Sequence, residues 1–94
     1  MNNDFQKLII QKHIIDSSTH DKSKKLSVAY GVDRNFLFGS GISMTSVLVN
    51  NPDIDIHFYI ATDYIDDDYL ERIKRLTQMY STTVTVLEIG RAHV

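Results

Sequence analysis

The chain has 94 residues, 43% of them hydrophobic, which is enough for one modest core and too little for two domains. Ten Lys plus Arg stand against twelve Asp plus Glu, a formal net charge of -2, so the basic field that holds a nucleic acid backbone is missing and nucleic acid is not an expected partner. The absence of cysteine removes any disulfide framework, thiolate nucleophile or cysteine zinc site, a composition that suits a reducing, cytoplasmic setting.

Residues 1 to 25 combine a short apolar pattern (Phe5, Leu8, Ile9, Ile10, Ile14, Ile15) with a polar stretch from Asp16 to Lys25, and read as an edge hairpin or extended arm followed by a loop. The opening Asn2, Asn3, Asp4 and Gln6 lack the charged-then-apolar order of a signal peptide, and no apolar run approaches the roughly 20 residues that cross a bilayer. Lys22, Lys24 and Lys25 read as a solvated loop.

Leu26-Ser27-Val28-Ala29-Tyr30-Gly31 is then a buried strand opening into a loop. From about Asn35 to Val49, Phe38, Ile42, Thr45 and Val49 recur at helical spacing, with Leu37, Met44 and Leu48 beside them, and predict a core-facing helix stopped by Asn50-Asn51-Pro52. Gly39, Ser40, Gly41 and Ser43 lower its helicity but let the backbone approach a sheet or a ligand. Asp55 to Thr62 is a second strand, nearly continuous in apolarity. Asp66 is the expected N-cap of a second helix, with Asp67 and Asp68 at its positive end and Leu70, Ile73, Leu76 and Tyr80 as its apolar stripe. Thr83-Val84-Thr85-Val86-Leu87 closes a β-α-β-α-β series, the pattern of a mainly parallel sheet with right-handed crossovers. A partial sheet of this kind is expected to leave the edge of its last strand unpaired.

Residues 89–94 are expected to be non-native. Glu88-Ile89-Gly90-Arg91-Ala92-His93-Val94 is encoded by gag atc gga aga gca cac gtc, which from its second base matches a widely used sequencing-library adapter, so the native frame is expected to continue past Leu87 or Glu88.

In open α/β sheets ligands sit at the carboxyl ends of strands, which directs attention to Tyr30-Gly31-Val32-Asp33-Arg34-Asn35-Phe36. Gly31 lets the backbone pass close to a flat ring, Phe36 or Tyr30 can pack on that ring, and Asp33 with Asn35 offers an acceptor beside an amide. Uracil presents acceptor, donor, acceptor along one edge, which a carboxylate and amide donors can read. From spacing alone the plainer alternative is that Asp33 and Asn35 are turn-and-cap residues of the helix. Gly39-Ser40-Gly41 lacks a third glycine and does not directly follow the strand, and there is no P-loop lysine pattern. His13, His20, His57 and His93 have no metal spacing, and Ser43 and Ser46 have no evident His-Asp partners.

The run Leu26-Ser27-Val28-Ala29-Tyr30-Gly31-Val32-Asp33-Arg34-Asn35-Phe36-Leu37-Phe38-Gly39 strongly resembles the start of bacterial lipopolysaccharide core galactosyl- and glucosyltransferases of glycosyltransferase family 8. The likeness continues through Gly41-Ile42-Ser43, Ser46-Val47-Leu48, Asn51-Pro52-Asp53 and Thr62-Asp63-Tyr64 followed by Asp66-Asp67-Asp68, covering roughly residues 26 to 87. It implies a partial GT-A fold over 26–88, behind the arm and loop of 1–25. It also implies a uridine site in which Gly31, Asp33 and Asn35 match the uracil and ribose contacts, flanked by Val32, Arg34 and Phe36. The activity implied is retaining transfer of glucose or galactose from UDP-glucose or UDP-galactose to a lipopolysaccharide core sugar. The cofactor implied is Mn²⁺ or Mg²⁺, held by an Asp-x-Asp motif and a His downstream of this chain. Asp53-Ile54-Asp55 and Asp66-Asp67-Asp68 satisfy the bare pattern, but one precedes a strand and the other opens a helix, so both are expected to be decoys. The parent is expected in the cytoplasm or peripherally on the inner face of the inner membrane, and the fragment alone is expected to be inactive. The other classes that fit are a non-catalytic uridine-nucleotide module and a purely structural α/β domain.

Overall fold

The computed structural model describes residues 9–90. Four strands, β1 (Ile9–Asp16), β2 (Lys24–Val32), β3 (Ile54–Thr62) and β4 (Thr83–Ile89), form one sheet in the order β1-β4-β3-β2. Two helices, α1 (Leu37–Asn50) and α2 (Asp67–Tyr80), lie in the crossovers, with a short 3-10 turn (Arg34–Phe36) before α1. The fold is therefore the expected α/β series, and β2, β3 and β4 run parallel in chain order. It fits the front part of a GT-A domain.

Both helices cover the same face of the sheet and touch each other there, the Ser40 and Tyr69 hydroxyls lying 3.0 Å apart between them. That face buries Ile56, Phe58 and Ile60 of β3 and Val84 and Val86 of β4 under Leu37, Met44 and Leu48 of α1 and Tyr69 and Ile73 of α2. Alternation places Asp55, His57 and Tyr59 on the other face, where the His57 and Tyr59 rings stack 4.1 Å apart.

Of the two forms expected of the arm, the described part takes the extended one, as an edge strand. β1 does not form a hairpin with β2; it runs antiparallel to β4 from Ile9↔Ile89 to Asp16↔Thr83. The last strand is thus interior, and its edge, expected to be unpaired, is filled. Residues 1–8, including Phe5 and Leu8 of the expected arm, lie outside the described residues. Of the tail expected to be non-native, Ile89 ends β4, Gly90 follows it, and residues 91–94 lie outside the described residues. The lysines are not one solvated loop: Lys24 and Lys25 open β2, and Lys22 donates to the Pro52 carbonyl at 2.7 Å.

The second correction concerns α1. Its core row is Leu37, Ser40, Met44 and Leu48, while Phe38, Ile42 and Val49 of the expected inward row are 66%, 65% and 58% exposed. Both rows are apolar and follow helical spacing, so periodicity alone identifies the helix without selecting its inner side. Ser40 settles the orientation: its hydroxyl donates to the Leu37 carbonyl at 2.6 Å and meets Tyr69, and only a small side chain lets the helices approach so closely there. In α2 the expected cap is present, the Asp66 carboxylate accepting from the Tyr69 amide at 2.8 Å. Ile73 is central to its inner face, Tyr69 and Thr77 are buried beside it, and Leu70, Leu76 and Tyr80 pack against the core at its flanks.

Candidate functional site

β2 and β3 end side by side, Gly31 pairing with Ala61 and Val32 with Thr62, so the loops that follow leave the sheet together at its carboxyl end. The expected site residues all lie here. Gly31 and Val32 are the last two residues of β2, Asp33 caps the turn, and Arg34, Asn35 and Phe36 form it. A Cβ added at Gly31 would meet nothing within 4 Å, and Gly31 does not have a positive φ, so the position requires no special backbone conformation. What Gly31 supplies is a bare, exposed stretch of backbone at the mouth of the loop.

Asp33 holds the turn: its Oδ1 accepts from the Phe36 amide at 3.0 Å, and its carbonyl accepts from the same amide at 3.1 Å. The capping role weighed from the sequence is therefore real, and among the described residues it engages one of the two carboxylate oxygens. Asn35 is exposed beside it, and Phe36 is 52% exposed. Gly39 makes room for the Phe36 ring, since a Cβ there would come within 3.1 Å of it. Of the two aromatics considered for a ligand ring, Tyr30 is committed elsewhere: its ring stacks on Phe58 at 6.1 Å and its hydroxyl lies 2.9 Å from Ser43 Oγ. Phe36 remains the one at the surface.

The neighbouring loop contributes a residue that motif reasoning passed over. The Arg34 guanidinium lies over the Tyr64 ring, 4.5 Å from its centroid, joining the β2–α1 loop to the β3–α2 loop. The sequence signals for it are the position of Tyr64, two residues past the end of a buried strand, and its place in the matched run Thr62-Asp63-Tyr64, neither of which gives it a role. Below these loops an open groove of about 530 Å³ runs between α1 and α2, lined by Phe38, Ile42 and Leu76 with Arg34 and Tyr64 at one end. The Arg72 guanidinium sits 5.1 Å from the Phe38 ring centroid on its rim.

The two Asp-x-Asp segments do not make a metal cradle in this chain. Asp55 lies at the opposite, amino end of β3, where burial pushes its carboxyl up but the Ser18 hydroxyl at 2.9 Å and Lys25 at 3.5 Å outweigh that and hold it below the usual range. Asp66 caps α2, and Asp68 pairs with Arg72 at 2.9 Å. Among the described residues no group of three or more His, Asp or Glu is arranged to hold a metal ion. His57 is a packed strand residue, its Nε2 2.7 Å from Thr85 Oγ1, and burial lowers its pKa. His13 lies near Gln11, and His93 is outside the described residues.

Comparison with known proteins places these residues in a family context. Residues 27–93 match the family described as glycosyl transferase family 8. The chain is 36% identical over 83 residues to lipopolysaccharide 1,3-galactosyltransferase of Salmonella typhimurium, covering 87% of this chain and 25% of that protein. It is 40% identical over 68 residues to lipopolysaccharide 1,2-glucosyltransferase of Escherichia coli, covering 72% of this chain and 20% of the relative. It is 38% identical over 75 residues to lipopolysaccharide glucosyltransferase WaaO of Escherichia coli, covering 80% and 22%. The chain thus spans about a quarter or less of the length of these relatives. No solved structure matches it significantly.

Proposed function

The chain belongs to glycosyl transferase family 8, and on that premise we propose that it is the nucleotide-binding front end of a UDP-hexose-dependent glycosyltransferase acting on the lipopolysaccharide core. The observation that carries this reading is the loop Gly31–Phe36. Gly31, Asp33 and Asn35 stand together at the carboxyl end of β2, the edge strand paired parallel with β3, on a turn that Asp33 itself braces. In this role the Asp33 carboxylate accepts the uracil N3–H, Asn35 and backbone amides meet the uracil and ribose oxygens, and Phe36 lies against the base. The donor is UDP-glucose or UDP-galactose and transfer proceeds with retention, as the family resemblance implies.

A divalent cation, Mn²⁺ or Mg²⁺, belongs to the proposal with ligands supplied by a longer parent, as the family resemblance implies. The reacting groups belong there too, so the isolated chain has a binding role without transfer activity. Among the described residues no helix is long and apolar enough to cross a membrane; the parent is placed in this proposal in the cytoplasm or peripherally at the inner membrane, as the family resemblance implies. The capping role of Asp33 also supports a second reading, a structural α/β module, and uridine nucleotide binding separates the two.

Sequencing of the gene through and past the codon for Glu88, without adapter ligation, tests the parent. The expected result is a frame that continues into an apolar strand ending in Asp-x-Asp, whose product transfers hexose from UDP-glucose or UDP-galactose to lipopolysaccharide core. An authentic stop directly after Val94 overturns the transferase reading.

A further inference from the structure

We propose that Tyr64 is a positioning residue for the nucleotide site, acting through Arg34; the inference rests on the uridine reading of the Gly31–Phe36 loop and names a determinant outside that loop. Tyr64 is itself firmly placed. The Thr62 hydroxyl donates to the Tyr64 carbonyl at 3.1 Å and accepts from the Tyr64 amide at 3.3 Å, and Thr62 is only 2% exposed. The ring packs against the edge of the core, so it forms a fixed platform at the end of β3.

The β2–α1 loop has fewer supports of its own. Asp33, Arg34, Asn35 and Phe36 are all exposed, and the turn is closed by two bonds that share one amide, that of Phe36. The Arg34 guanidinium over Tyr64 is a second tether, from a different element, at 4.5 Å. It restricts a long side chain that would otherwise sweep across the proposed site, and so fixes the only basic group of Gly31–Phe36. A loop held in its binding geometry before the ligand arrives binds more tightly than one ordered by it. Tyr64 therefore raises affinity for a uridine nucleotide without touching it.

The test is calorimetric titration of the 94-residue chain with UDP, comparing wild type, Tyr64→Phe, Tyr64→Ala, Arg34→Met and the Arg34→Met/Tyr64→Ala double variant. Tyr64→Ala is expected to weaken UDP binding about three-fold, the scale of an exposed cation–π contact, and Tyr64→Phe, which keeps the ring, to bind like wild type. In the Arg34→Met background the Tyr64→Ala change is expected to cost nothing further. Thermal midpoints of the same proteins separate stability from binding. Wild-type affinity in Tyr64→Ala, equal losses in Tyr64→Phe and Tyr64→Ala, or additive losses in the double variant each overturn the inference while leaving the nucleotide site intact. If Tyr64→Ala does not fold, a loss in Tyr64→Phe overturns it, and so does unchanged affinity in Arg34→Met. Wild type that does not bind UDP overturns the uridine reading, and this inference with it.

Discussion

Met44 has no exposed surface, whereas Phe38, on the same helix, is two-thirds exposed and meets Arg72 across the groove rather than the sheet. The two residues should respond differently to truncation. Met44→Ala removes a side chain buried among close-packed neighbours and is expected to cost about 2–5 kcal/mol in a urea titration. Phe38→Ser and Ile42→Ser change exposed positions and are expected to stay within about 0.5 kcal/mol of wild type. Equal losses at Phe38 and Met44 would mean that α1 presents its other row to the sheet. The difficulty of reading this from sequence is physical. Leu37, Met44 and Leu48 and Phe38, Ile42 and Val49 are both apolar rows, and the deciding residue, Ser40, is a small polar one whose buried contact with the Tyr69 hydroxyl cannot be inferred without its partner. Tyr30 was similarly ambiguous, since its place on the helix-covered face follows only from the register that sets it against Phe58 and Ser43.

At the scale of elements, the connection from β1 to β2 is fastened at the amino ends of β3 and β4, away from the candidate site. His20, at φ 57°, places its Nε2 2.8 Å from Asp16 and its Nδ1 3.5 Å from Asp55, which also faces Lys25; Asp16 further accepts from the Thr83 hydroxyl at 2.8 Å. The hydrogen bond to Asp16, aided by the carboxylate charge, raises the His20 pKa, and its counterpart lowers that of Asp16. A raised histidine pKa contributes stability that is complete below the unfolded value of about 6.5 and disappears as pH climbs through the folded value. The Asp16 contribution has the opposite sense, being lost only as pH falls through its depressed pKa. His57, lowered by burial, favours the folded state toward higher pH, so total stability mixes the two histidines. The stability difference between wild type and His20→Asn isolates the clasp. It is expected to be largest in mildly acid solution and to shrink through neutral pH, as measured by urea midpoints at a series of pH values; a pH-independent difference would remove the ionic contribution. None of this was visible in advance. His20 lies only four residues from Asp16, but Asp55 is distant in the chain from both, and only the sheet, with β1 on β4 and β4 on β3, brings it to them. The elements themselves were far more legible, because β-branched runs, Asp66 ahead of an amphipathic helix and Asn50-Asn51-Pro52 are local signals that act over a few residues.

For the whole molecule, three parallel strands taken in chain order with both helices on one face put the β2–α1 and β3–α2 loops next to each other, and this brings the matched residues of both loops to one end of the sheet. The parallel unit and its binding end follow from alternation of strand and helix. The fourth strand does not, because antiparallel pairing between the first and last strands depends on contacts distant in sequence. The candidate loop could be located by position and resemblance, but the contacts within it could not: Asp33 bracing the turn, Tyr30 packed on Phe58 and Arg34 lying over Tyr64 emerge only from the three-dimensional arrangement. Whether the Gly31–Phe36 loop reads a uridine nucleotide through Asp33, as proposed, is decided by UDP titration of wild type and Asp33→Ser. Serine retains a capping oxygen for the Phe36 amide, so the turn survives, but it loses the carboxylate and its reach toward the base. Wild type is expected to bind UDP, and Asp33→Ser to bind it at least about ten-fold more weakly at nearly unchanged thermal midpoint, the loss expected for a charged hydrogen bond. Equal UDP affinity in both proteins, or none in wild type, would contradict it and leave Asp33 as a helix-start brace alone.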